Sequence, residues 1–289
     1  MFSFNVLSQD YITKKNKDYI TKKENLDNIS DEEQIRINGL YSFTLNATIG
    51  TILHEIGHAL IDKFDIPIFN NEEDVADSFL TFYLINLPSD FEDNDNYEYF
   101  SKMDHGVLMD IADYYYFNNL LGKDNDREFS SHSTDNRRFF NILCNMKDGN
   151  PDFFEKYISK RDIEYLLDDN CSSKFNSMRD AWSSYVSDYW IQPKEPHKHF
   201  KISFEDFSGS VLGSSFPKYF EDYFYDTYGV EYLEYFQIKF PDLINITFKS
   251  CGVTNAFYDS KNSEILICYE LLEEYFITRE KILELRNSL

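Results

Sequence analysis

The stretch "LHEIGHAL", residues 53–60, constrains this chain more than any other. It holds two of the six histidines, His54 and His58, four apart, with Glu55 directly after the first. On an α-helix residues four apart share a face, so two neutral imidazoles in this spacing can hold one zinc ion. Glu55 projects beside them, where it can take a proton from water and pass it to a leaving amine. From Thr51 to Leu60 the only charged residue is Glu55, and there is no proline, so the helix can be buried behind a metal. Gly57 lets another segment approach closely. Chance gives an H-E-x-x-H in a chain of this size on the order of 1% of the time, so the pattern needs context.

The flanking sequence supplies it. Ser30 followed by Glu33 is a capping-box pattern, and Asp31 and Glu32 suit the positive end of a helix. Apolar residues then recur at Ile35, Leu40, Leu45, Ile49, Leu53, Ile56 and Leu60. This predicts one long helix, or two joined near Asn46–Gly50, ending around Asp65 because Pro67 cannot continue it. Asn70 or Asn71 can cap a second helix, "EEDVADSFLTFYLIN", which stops before Pro88.

A catalytic zinc needs a third protein ligand and one open position. In the second helix Glu73 and Asp77 are again four apart. Glu73 can be the ligand, while Asp77 can accept the second N–H of a ligand histidine and fix its tautomer. Glu72 or Asp74 could replace Glu73, since spacing does not choose between neighbours. The plain alternative is an acid-rich helix start favoured by the dipole. Two successive helices, each with an i, i+4 polar pair, favour the ligand reading.

The other histidines carry less. His132, in "SSHSTDNRRFFN", could donate to the oxyanion of a tetrahedral intermediate, or could simply be a surface residue before a helix. His105 has no partner pattern, and His197 and His199 read as exposed loop residues. "GSVLGSS" (209–215) lacks the lysine of a phosphate loop.

Charge narrows the partners. Against 28 Lys+Arg stand 51 Asp+Glu, a net −23 that repels nucleic acid and anionic membranes and attracts basic peptides or proteins. The 27 Phe and 22 Tyr are ample for a packed core. No run of 18 apolar residues marks a membrane span, and "MFSFNVLSQDYITKK" is not a signal peptide. The default location is therefore cytoplasmic, with export by another route left open. None of the four cysteines, Cys144, Cys171, Cys251 and Cys268, forms a C-x-x-C pair. In the cytoplasm they would be buried free thiols; in an oxidising compartment two disulfides become available.

Residues 10–25, "DYITKKNKDYITKKEN", are a near-perfect tandem repeat, read as part of a flexible arm over 1–29. Residues 89–98 form an acidic, turn-rich connection. Helices are expected over 100–121, 135–147, 152–167 and 174–189. The tail differs. Ile244, Ile246 and Phe248 alternate with polar residues, and "NAFYD" and "EILICYE" flank a turn at Ser260–Lys261–Asn262–Ser263, a hairpin pattern within 243–276. A last helix should cover roughly 270–286. The expected fold is α+β: one mostly helical domain over 1–289 with a small antiparallel sheet.

These segments together resemble a metallopeptidase family of zincins, with an H-E-[IL]-G-H helix followed by an E-E-D-x-A-D helix. "HSTDNRRFFNILC" (132–144) is similar to that family's His-Ser, Arg-aromatic-aromatic-Asn and cysteine segment. "CGVTNAFYDSKNSEILICYEL" (251–271) is similar to its hairpin. In the family the hairpin precedes the zinc helix; here it lies at the C-terminus, as in a circular permutation. Such rotation is tolerated when termini lie close together at the surface. The family often carries acidic residues before the histidine that is His132 here; this chain has Ser130 and Ser131, which weakens the case for His132. The resemblance implies Cys144–Cys171 and Cys251–Cys268 as disulfide pairs. It also implies a gluzincin-like, zinc-dependent peptidase that binds one Zn²⁺ through His54, His58 and Glu73, with Glu55 as general base. A zinc-stabilised binding protein without turnover is the alternative.

Overall fold

A computed structural model describes residues 30–68, 71–85, 95–121, 133–159, 171–191, 198–207, 209–213 and 215–287. The repeat at 10–25, most of the acidic connection at 89–98, His132 and His197 lie outside the described residues. The described helices and strands fall into two compact units. The described part of one is Ile56–Trp190; the other runs to Glu55 and resumes at Ile191. The dividing line crosses a single continuous helix, α1 (Asp31–Lys63), which both units share.

Helix α1 forms without the break considered near Asn46–Gly50. Its start is capped as expected, with the Glu33 N–H donating to Ser30 Oγ at 3.2 Å. Inside, the buried hydroxyls of Thr44 and Thr48 donate back to the carbonyls of Leu40 and Thr44, so these polar side chains sit in an apolar interior without loss. The helix ends at Lys63, and Asp65 takes a left-handed conformation (φ 48°) just before Pro67.

The helical unit continues with α2 (Glu72–Ile85), α3 (Asp95–Leu120), α4 (Asp135–Gly149), α5 (Pro151–Ile158) and α6 (Cys171–Val186). Its core is aromatic: the Trp182 ring meets Phe79 edge-on at 4.9 Å, and its indole N–H donates to Ser78 Oγ at 2.8 Å. That bond satisfies the one polar atom the ring buries. Asn150 ends α4 and begins α5, accepting from the Phe153 N–H at 3.1 Å. Its amide also donates to His105 Nε2 at 3.0 Å, and the imidazole stacks on Phe153 at 4.0 Å. Burial, with Lys156 nearby, pushes the His105 pKa down to about 4.

The second unit carries β1 (Phe200–Phe204), α7 (Phe216–Asp226), α8 (Gly229–Glu234), β2 (Ile244–Lys249), β3 (Ala256–Asp259), β4 (Glu264–Cys268) and α9 (Tyr269–Asn287). The fold is α+β as expected, but its sheet is mixed, in the order β1-β2-β4-β3. The β3–β4 hairpin is antiparallel, whereas β1–β2 and β2–β4 pair in parallel. Parallel neighbours need a crossover, and α7 and α8 make the one from β1 to β2. Ile244, Ile246 and Phe248 face the core and are fully buried. Phe248 stacks on Phe204 at 4.2 Å and meets Phe224 of α7 at 5.4 Å. Helix α9 meets α1 between Arg36 and Thr51, with Tyr275 bonded to Thr51, Phe276 against Tyr41 and Glu280 paired with Arg36.

The cysteines correct the free-thiol expectation. All four are paired, Cys144–Cys171 joining α4 to α6 and Cys251–Cys268 closing the loop before the hairpin onto the end of β4. Glu270 holds that loop, accepting from Ser250 Oγ at 2.7 Å and the Gly252 N–H at 2.9 Å. Burial raises the Glu270 pKa, but these bonds outweigh it and hold the carboxyl below its ordinary value.

Candidate metal centre

The site begins with a helix crossing. At Gly57 the backbone of α2 comes so close that a Cβ there would lie 2.9 Å from Ala76 Cα and 3.1 Å from its carbonyl oxygen. Only glycine permits this approach. It sets the first turn of α2 beside the C-terminal half of α1. Asn71 then fixes the phase of α2, its Oδ1 accepting from the Glu73 N–H at 3.3 Å. Of the two asparagines considered as caps, Asn71 does the work.

Crossing and cap together bring Glu73 to His58, with Oε2 3.3 Å from Nε2. One ligand atom from each of His54, His58 and Glu73 falls in a group whose members all lie within 4.8 Å of one another. His54 and Glu55 are buried, at 4% and 5% exposure. The side chains of His58 and Glu73 keep 13% and 18%, so the group has a wet side and a dry side.

The neighbouring acids are engaged differently. Glu72 Oε1 lies 2.8 Å from the other imidazole nitrogen of His58, Nδ1. Asp74 accepts from Ser133 Oγ and, at 2.9 Å, from Arg137 Nη2. Of the three consecutive acids, Glu73 is therefore the one grouped with both histidines. Asp77 accepts from Arg138 with both oxygens, Nε donating to Oδ2 at 2.8 Å and Nη2 to Oδ1. The guanidinium also lies over the Tyr115 ring at 4.2 Å. Burial pulls the Arg138 pKa down, yet Asp77 and Tyr115 more than compensate and hold it above its ordinary value. The basic pair of "NRRFFN" thus clamps α2 at Asp74 and Asp77, on either side of the turn that follows Glu73. Sequence reasoning did not assign Arg137 and Arg138 this role; a doublet spaced to meet an i, i+3 acid pair was its only trace.

The donor set is one that could hold a metal ion. Atoms about 2.0–2.2 Å from a tetrahedral ion lie about 3.3–3.6 Å apart, and His58 Nε2 and Glu73 Oε2 are 3.3 Å apart.

Comparison with known proteins places the chain in a class. The family model described as "Putative metallopeptidase" (DUF4344) matches residues 9–186 and 225–284. The chain belongs to that family. The match takes in both helices of the candidate centre and the β3–β4 hairpin. No curated protein matches. No solved structure matches either. Among the described residues no helix is long and apolar enough to cross a membrane.

Proposed function

We propose that this protein is a zinc-dependent peptidase of the gluzincin type, holding one Zn²⁺ through His54, His58 and Glu73. The carrying observation is the grouping of these three side chains, with Glu55 buried next to His54 on the same helix. Membership of a metallopeptidase family supports the reaction class.

A zinc ion so held supplies Lewis acidity, which lowers the pKa of water and polarises the scissile carbonyl. Glu55 takes the proton of the attacking water and returns it to the leaving amine. His54, His58 and Glu73 would hold the ion. Asp77, which accepts from Arg138 with both oxygens, would take the far N–H of a ligand histidine. His132 is the candidate oxyanion donor; the residue after it, Ser133, is anchored on Asp74. β3 is an edge strand, so an extended peptide can add to the sheet beside it. The net charge of −23 favours basic peptide or protein substrates. Two disulfides favour an oxidising compartment over the cytoplasm.

The test is a diverse peptide mixture incubated with the zinc-loaded protein and read by mass spectrometry. Cleavage products that vanish with chelator and return with zinc are expected. Zinc uptake with no product from any peptide would refute the peptidase assignment.

A further inference from the structure

The imidazole of His58 is held on both sides. Nδ1 lies 2.8 Å from Glu72 Oε1, and Nε2 lies 3.3 Å from Glu73 Oε2. The two nitrogens of the ring point away from each other, so one carboxylate cannot serve both. We propose that Glu72 is a positioning residue for the metal centre: it accepts the Nδ1–H of His58 and so leaves the Nε2 lone pair for zinc. This rests on the ligand set proposed above and deepens it.

The chemistry follows from the tautomer. A neutral imidazole carries one proton, and a metal needs the unprotonated nitrogen. A carboxylate at Nδ1 draws the proton there, fixes the ring plane and makes Nε2 a stronger donor. The 2.8 Å contact is that of a charge-assisted bond, while 3.3 Å at Nε2 is long for a hydrogen bond and right for two ligands of one tetrahedral ion. The first three acids of α2 thereby divide their work: Glu72 orients a ligand, Glu73 is a ligand, and Asp74 ties the helix to Ser133 and Arg137. Asn71 fixes this division, because a shift of α2 by one residue would put Glu72 or Asp74 in the place of Glu73.

Glu72 suits mutation, since its side chain is 52% exposed in the first turn of a helix. The experiment measures zinc affinity by competition with a chromophoric chelator for wild type, Glu72→Ala, Glu72→Gln and Glu73→Ala. It also follows the His58 Nδ1–H signal in the ¹H–¹⁵N spectrum of the zinc-loaded, histidine-labelled protein. Wild type should hold one zinc and Glu73→Ala should lose it; failure there overturns the ligand set itself. With that intact, Glu72→Ala should bind zinc about 10–100-fold more weakly and lose the Nδ1–H signal. Glu72→Gln keeps an acceptor oxygen and should recover most of both. Glu72→Ala with affinity within about twofold of wild type and the signal retained would overturn the inference alone. So would a Glu72→Ala protein as devoid of zinc as Glu73→Ala, which would make Glu72 a ligand.

Discussion

Replacing Gly57 by alanine separates the geometry of the centre from the stability of the fold. The added Cβ would lie 2.9 Å from Ala76 Cα, 3.1 Å from its carbonyl oxygen and 3.2 Å from its Cβ. Carbon atoms rest comfortably at about 3.5–4.0 Å, so α2 must retreat by about 0.5–1 Å. The obstacles include backbone atoms, which cannot rotate out of the way. Crowding of this kind costs about 1–3 kcal/mol, but alanine in a helix interior regains about 1 kcal/mol over glycine. The net loss of stability should therefore be about 0–2 kcal/mol. The metal centre is less forgiving. Its ligand distances tolerate about 0.2 Å, and a retreat several times larger carries Glu73 away from His58. Zinc affinity should fall at least tenfold, a loss out of proportion to the change in urea unfolding of the metal-free protein. Gly39→Ala on the same helix is the control. Nothing lies within 4 Å of a Cβ there, so it should stabilise the protein by about 1 kcal/mol and leave zinc binding unchanged. A Gly57→Ala protein that binds zinc as tightly as wild type would refute the view that the Gly57–Ala76 contact sets the site.

Two further outcomes follow from buried charge. Arg138→Ala takes its bidentate cation from Asp77, whose side chain is only 16% exposed, and should cost about 3–5 kcal/mol in denaturant unfolding; Arg138→Lys, with no fork to meet both oxygens, should recover only part. His105 titrates near 4 in the fold against 6.5 in the unfolded chain, so the unfolded state takes up the proton first. Its contribution is complete above pH 6.5 and lost as pH falls toward 4. The loss should be roughly 2–3 kcal/mol, seen as a flatter pH dependence of urea unfolding in His105→Gln.

The core of the centre was legible because helix periodicity is short-range. His54 and His58 share a face by spacing alone, and Gly57 signalled a close neighbour, which is Ala76. Spacing could not choose among Glu72, Glu73 and Asp74, since three adjacent acids point in three directions from one helix. Their division depends on the crossing at Gly57 and the cap at Asn71, both tertiary facts. The hairpin was readable from its alternating strands and turn, but the parallel partners of β2 were not. "FKISF" alternates Phe200, Ile202 and Phe204, yet nothing local says that it pairs in parallel with a strand beyond two helices. Helix α7 carries Phe216, Phe220, Tyr223 and Phe224 on one buried face, a helical stripe that the reading of the neighbouring glycines passed over. The cysteine pairing came from the family likeness; spacing offered only the alternatives of free thiols or two bridges.

Zinc content and peptide turnover, measured side by side on wild type and Glu55→Gln, test the assignment of metal and base most directly. The amide occupies the same space but cannot take a proton from water. Both proteins should hold one zinc ion, and only the wild type should release products. A Glu55→Gln protein that cuts as fast as wild type would contradict the assignment of Glu55 as the general base.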